Sequence, residues 1–137
     1  MKYLVDANVW SEVTRSTPTP AVVEWLVAHE ADLAVDPIIL GELDFGIRRL
    51  PVSRRRVALE AWFSETFATV PCLPLTAETS RHWARLLASL RKRGAEMPIK
   101  DSLIAATASE HQLIVVTRNV RDFKRAGVRV INPFPVH

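Results

Sequence analysis

The chain has 137 residues, the length of about one domain, with 48% hydrophobic and 24% charged residues. A chain of this size typically buries about two-thirds of its unfolded surface, so it can form a core unaided and is not a disordered segment. Asp6 breaks the N-terminal apolar stretch at once, which argues against a signal peptide, and no apolar run reaches the roughly 20 residues of a membrane span. The single cysteine, Cys72, excludes an intramolecular disulfide and any multi-cysteine zinc site. The expectation is one soluble, cytoplasmic α/β domain over residues 1–137.

Charge is divided unevenly. Residues 1–47 carry two basic against eight acidic side chains, net −6, and residues 48–137 carry sixteen against seven, net +9. Fourteen of the 18 basic residues are arginines, the side chain best matched to bidentate phosphate contact. Such asymmetry fits a polyanionic partner such as nucleic acid. The plain alternative is a set of solvated helix faces.

Lys2–Val5 predicts a first strand ending at Asp6, followed by a helix near Val9–Arg15 and a Pro/Thr turn at Ser16–Pro20. Ala21–Ala28 predicts a second helix and Leu33–Val35 a second strand. Asp36-Pro37 reads as an N-cap with proline at the first helical position, opening a helix to about Leu50. Further helices are expected over Arg54–Phe67, Ala77–Arg93, with Gly94 as its C′ residue, and Asp101–His111. Cys72–Leu75, Leu113–Thr117 and Val128–Ile131 complete the strands. Strands alternating with helices imply right-handed crossovers and a three-layer α/β/α sandwich, its mainly parallel sheet having about five strands.

Ligands of open parallel sheets bind beyond the carboxyl ends of the strands. That rule nominates Asp6 after the first strand, Asp36 after the second and Asn119 past the strand ending at Thr117. Asp101 is expected to open and cap its helix, and Glu42 flanks the apolar stripe of Ile39, Leu43 and Ile47. Singly, each acid has a structural reading as a cap, a turn residue or an ion-pair partner. Converging at one edge, they would repel unless a divalent cation neutralised them, and oxygen ligands without His or Cys select Mg²⁺ or Mn²⁺.

Other chemistries lack their residues. There is no phosphate-binding glycine loop, no G-x-S-x-G elbow and no ligand spacing among the four histidines. Asn8, where aspartyl phosphatases need a second aspartate, removes that class. A phosphoacceptor receiver would need an acid on the third strand, and Cys72–Leu75 has none.

Several segments, in this order, resemble one family along nearly the whole chain. They are Asp6-Ala7-Asn8, Leu40-Gly41-Glu42-Leu43, Lys100-Asp101 through Ala108, Val116-Thr117-Arg118-Asn119 through Phe123, and the closing Gly127-Val128 to Asn132-Pro133. Together they resemble PIN-domain ribonucleases, in particular the VapC-type, FitB-like toxins of toxin–antitoxin pairs. The resemblance implies a metal-dependent endoribonuclease that works with Mg²⁺ or Mn²⁺. By the same resemblance it is expected to be held inactive by a cognate antitoxin and to assemble as a homodimer or a toxin–antitoxin hetero-oligomer. Asp6, Glu42 and Asp101 match the family's acidic metal ligands, and Asn8 matches the residue supporting the first aspartate. Asn119 stands where the family commonly has an aspartate, so one strongly bound ion and at most one weak one are expected, with Asp122 a lesser contributor. RNA contacts are expected from Arg48, Arg49, Arg118 and Arg121, with Arg91 and Arg93 as further candidates. An apolar groove near Trp10 and Trp25 is expected to seat the antitoxin, with Trp62 and Trp83 as core or dimer contacts. The alternative is a PIN-like RNA-binding module without catalysis.

Overall fold

Tyr3–Val5 forms strand β1, and every one of its side chains is buried, as a strand covered on both faces requires. The computed structural model describes residues 1–136; His137 lies outside them. β1 leads into helix α1 (Ala7–Val13), followed by α2 (Pro20–Ala28), β2 (Leu33–Ala34), α3 (Pro37–Arg48), α4 (Arg54–Thr66) and α5 (Ala77–Lys92). The chain closes with α6 (Ile99–His111), β3 (Ile114–Val116), α7 (Val120–Arg125) and β4 (Val130–Ile131).

The four strands are parallel and ordered β2-β1-β3-β4. Tyr3 pairs with Leu33 on one side and Ile114 on the other, and Val5 faces Val116. The chain thus moves one way from β1 to β2 and later crosses to the other side for β3. That reversal puts a topological switch point at the carboxyl ends of β1 and β3. Leu4, Val5, Val115 and Val116 are wholly buried and form the centre of the core.

Four differences from expectation have local reasons. Cys72–Leu75 is not a fifth strand: it makes one parallel bridge, Cys72 to Val35, with hydrogen bonds Val35 N–H to Pro71 O and Leu73 N–H to Val35 O. Pro71 and Pro74 have no N–H to extend that ladder. α1 starts at Ala7, directly behind Asp6, because the Asp6 carboxylate caps it. α6 starts at Ile99, so Asp101 lies in its first turn and does not cap it; Pro98 is the N-cap residue. α7, unanticipated, is a six-residue helix between β3 and β4. Gly94 follows α5 with φ +65°, as expected of a C′ residue.

Candidate functional site

The Asp6 carboxylate is 4% exposed and accepts three hydrogen bonds. Its Oδ1 accepts the Ala7 N–H at 2.8 Å, and its Oδ2 accepts the Thr117 hydroxyl at 2.8 Å and Asn8 Nδ2 at 3.2 Å. Asn8 closes the network: Nδ2 also donates to Thr117 Oγ1, and Oδ1 accepts the Arg118 N–H at 3.1 Å. Thr117 Oγ1 further accepts the Asn119 N–H at 2.9 Å. The ends of β1 and β3 are therefore tied together by side chains.

Glu42 lies on α3, with Asp36 capping that helix through Ile39 N–H at 2.9 Å. Glu42 Oε2 faces Lys100 Nζ at 3.4 Å, whereas Glu42 Oε1 is buried without a hydrogen-bond partner. Asp101 comes from the first turn of α6, and its Oδ2 accepts Asn119 Nδ2 at 3.0 Å. The same Nδ2 donates to Asp122 Oδ2 at 2.9 Å, so the amide bridges two acids. Asp122 also faces Arg125 at 3.8 Å, within α7.

The acids feel one another. Burial, then the charges of Asp6, Glu42 and Asp122, push Asp101 up to about 6. Burial first, and then the Asp6 charge, raises Glu42; burial raises Asp6 against the pull of Thr117 and Ala7. As placed, no three Asp, Glu, His or Cys side chains among the described residues are close enough to share one ion. The Lys100 ammonium and the Asn119 amide stand among them instead. The donor set still fits a hard divalent cation: it is all oxygen, it is mutually repulsive, and it leaves a buried Glu42 lone pair unused.

Asp36 has a different role. Fully buried, it accepts from Ile39 N–H and from Thr107 Oγ1, both at 2.9 Å, and so joins α3 to α6 behind the site. Lys100, Thr117 and the Asp36–Thr107 pair were not singled out by the sequence reading. The signal for Thr117 was present, since it is a lone hydroxyl ending the apolar run Leu113–Val116.

The arginines separate. Arg118 is exposed beside the site with its guanidinium 4.4 Å from the Phe134 ring centroid, and Arg121 is exposed in the first turn of α7. Arg49 lines a cleft of about 270 Å³ that includes Glu42, whereas Arg48 turns to Asp44 at 3.0 Å. Arg91 lines a separate cleft of about 840 Å³ with Arg125, Met97 and Ile99, and Arg93 donates to the Arg125 carbonyl. An apolar groove of about 600 Å³ runs between Trp10, Val13, Leu26, Val27 and Val70. Trp25 is not part of it; its ring is stacked 4.2 Å from His29 and edge-on to Tyr3. Trp83 donates to Ser102 Oγ at 2.9 Å, joining α5 to α6.

Comparison with known proteins gives the family and the fold. Residues 3–128 match the family described as PIN domain. The chain is 33% identical over 135 residues to the VapC ribonuclease Y4jK of Sinorhizobium fredii, covering 96% of each chain. It is 30% identical over 135 residues to the toxin FitB of Neisseria gonorrhoeae, covering 96% of this chain and 97% of the other. The crystal structure of FitAcB from Neisseria gonorrhoeae superposes with a TM-score of 0.86 at 32% identity, covering 96% of this chain and 97% of that one.

Proposed function

The chain belongs to the PIN-domain family, among its VapC-type toxins, and from that premise we propose that it is a metal-dependent endoribonuclease restrained by a cognate antitoxin. The observation that supports this best is the set of acids around the carboxyl ends of β1 and β3, with Glu42 Oε1 buried and unpartnered. Asp6, Glu42 and Asp101 would hold Mg²⁺ or Mn²⁺. When bound, such an ion supplies an acidified water and stabilises charge on phosphoryl oxygens.

The protein's own side chains supply orientation. Asp6 is fixed by Ala7, Asn8 and Thr117, so its carboxylate does not need to reorganise on reaction. Glu42 and Asp101 approach from two different helices, and Asn119 steers Asp101 by a hydrogen bond. Lys100, exposed beside Glu42, offers an ammonium to a phosphate oxygen. Arg118, resting on Phe134, offers a guanidinium to the RNA backbone. Hydrolysis adds water across one P–O bond, its oxygen to phosphorus and a proton to the leaving ribose oxygen.

The apolar groove at Trp10, Leu26 and Val27 is the seat we assign to an antitoxin segment; Val27 is 64% exposed at its rim. We place the protein in the cytoplasm with its RNA substrate, as a homodimer or a toxin–antitoxin hetero-oligomer. No helix among the described residues is long and apolar enough to cross a membrane.

The test is RNA cleavage by the purified chain under Mg²⁺ or Mn²⁺ titration, with EDTA as the blank. Cleavage is expected only with metal, and Asp101→Asn is expected to lower it more than about 100-fold, beyond the usual cost of losing an outer-shell partner. Binding of RNA without any metal-dependent cleavage would leave the non-catalytic reading instead.

A further inference from the structure

The cleft containing Glu42 does not end there. It is lined by Thr14, Arg49, Arg55, Leu59 and Trp62, and a second cleft of about 320 Å³ is lined by Thr14, Arg55, Leu59, Trp62 and Ala58. Four shared residues make the two into one trough, running from Glu42 between α1, α3 and α4. Each part lies near the lower limit for a pocket that encloses a small molecule, so an extended ligand suits it better.

Its chemistry is specific. Arg49 and Arg55 are exposed, and neither has an acidic partner within 4 Å among the described residues. Arg49 sits over the Phe45 ring at 5.4 Å, and Arg55 makes only a 3.5 Å contact to the Thr14 carbonyl. Two free guanidiniums beside a carboxylate-rich centre are positive charge that the fold itself leaves unused. Trp62 is half-buried, edge-on to Phe67 at 5.8 Å, and forms a trough wall with the rest of its surface. Unpaired cations interleaved with an aromatic platform are what single-stranded nucleic acid requires, and a paired base has no free face to stack.

We infer that the trough from Glu42 to Ala58 is the track for an unpaired RNA strand, with Arg49 and Arg55 on consecutive phosphates and Trp62 stacking a base. The inference deepens the nuclease reading and rests on it for the position of the cut. Trp62 packs against the core with one side, as expected, and the inference gives its remaining surface a substrate contact.

The experiment is fluorescence anisotropy of a labelled 12-nucleotide single-stranded RNA and of its duplex, in EDTA, across a salt series. Arg49→Gln and Arg55→Gln are each expected to weaken single-strand binding and flatten the salt slope by about 0.7, while Arg81→Gln, whose partner is Glu78 on α5, leaves the slope unchanged. Trp62→Ala is expected to weaken it about ten-fold, with Trp62→Phe restoring most of the loss and duplex binding indifferent to both. In cleavage assays the same variants raise KM and leave kcat near wild type. Unchanged slopes in the Arg49/Arg55 double variant, or cleavage with unchanged KM, would overturn the track while leaving the nuclease intact. RNA binding of this pattern by a wild-type chain that never cleaves keeps the track and removes the nuclease. If Trp62→Ala weakens only antitoxin binding, the trough belongs to the antitoxin and the RNA track is wrong.

Discussion

Asp36 and Glu42, one fully and one partly buried, lie six residues apart, at the N-cap of α3 and within it, and their hydrogen bonds separate them. Behind the sheet edge, Asp36 is 0% exposed, yet its two oxygens are matched by Ile39 N–H and Thr107 Oγ1. At the mouth, Glu42 keeps one buried oxygen without a donor, and Asp101 relies on an amide it shares with Asp122. Both acids follow the end of β2 in sequence, and both are shifted toward their neutral forms mainly by burial. Burial alone therefore does not distinguish the two carboxylates. For this pair the unmatched oxygen does, because a buried lone pair without a donor is open to a ligand.

The sharpest way to break the comparison is to neutralise one acid of each kind. Glu42→Gln is expected to reduce cleavage more than about 100-fold while leaving the melting temperature unchanged or raised, since it removes like charge from a crowded site. Asp36→Ala is expected to do the reverse. It loses a helix cap and strands the Thr107 hydroxyl, costing about 2 kcal/mol and roughly 6–8 °C in Tm. Well below that Tm its cleavage is expected to fall less than ten-fold. A stable Asp36→Ala protein without activity would erase the distinction.

Part of this contrast was readable from sequence and part was not. Asp6, Asp36 and Asn119 are found by a local rule, because each closes or follows a short β-prone run. The Asp36-Pro37 pair was correctly legible as a cap with proline at the first helical position. What sequence could not show is the partner of each acid: Thr117 meets Asp6 across 111 residues, and Lys100 meets Glu42 across 58. The start of α6 was misplaced for a related reason. Asp101 carries the usual signature of a cap, but Pro98 takes that position, and this frees the Asp101 side chain to face Asn119. α7 is six residues long, too short for an apolar period to declare itself, and the strand at Cys72 is cut to one bridge by flanking prolines.

A smaller effect sharpens the comparison through pH. Without metal, burial and then the neighbouring acids lift Asp101 to about 6 from an ordinary 3.8, and Asp6, Asp36 and Glu42 move the same way. A raised carboxyl binds its proton more tightly when folded, so its contribution is full below the unfolded pKa and lost as pH rises through the folded one. In EDTA the protein is therefore expected to gain stability from pH 7 to pH 5. Solvent screening of the half-buried Asp101 limits its share to about 1 kcal/mol, some 3 °C in Tm. Saturating Mg²⁺ is expected to flatten that slope, because the ion favours the ionised acids. A slope that survives Mg²⁺ unchanged would trace the effect to Asp36, the fully buried acid behind the site.

The smallest expected effect concerns Asn119, where the mouth of the site already behaves a little like its satisfied interior. Its Nδ2 donates to Asp101 and Asp122 at 3.0 and 2.9 Å, so the amide quiets two charges that would otherwise repel. Asn119→Asp removes that donor and adds a third charge at the same point. The metal-free protein is expected to melt lower, while the Mg²⁺ concentration for half-maximal cleavage falls several-fold, because each added carboxylate raises the attraction for a hard cation. Asp122→Ala is expected to change that concentration less, since Asp122 is also engaged with Arg125 and bonded to the Asn119 amide. Melting curves in EDTA and cleavage titrated against Mg²⁺ read the two effects separately. If Asp122→Ala raises the requirement strongly and Asn119→Asp leaves it alone, Asp122 is the fourth ligand and the amide is only its anchor.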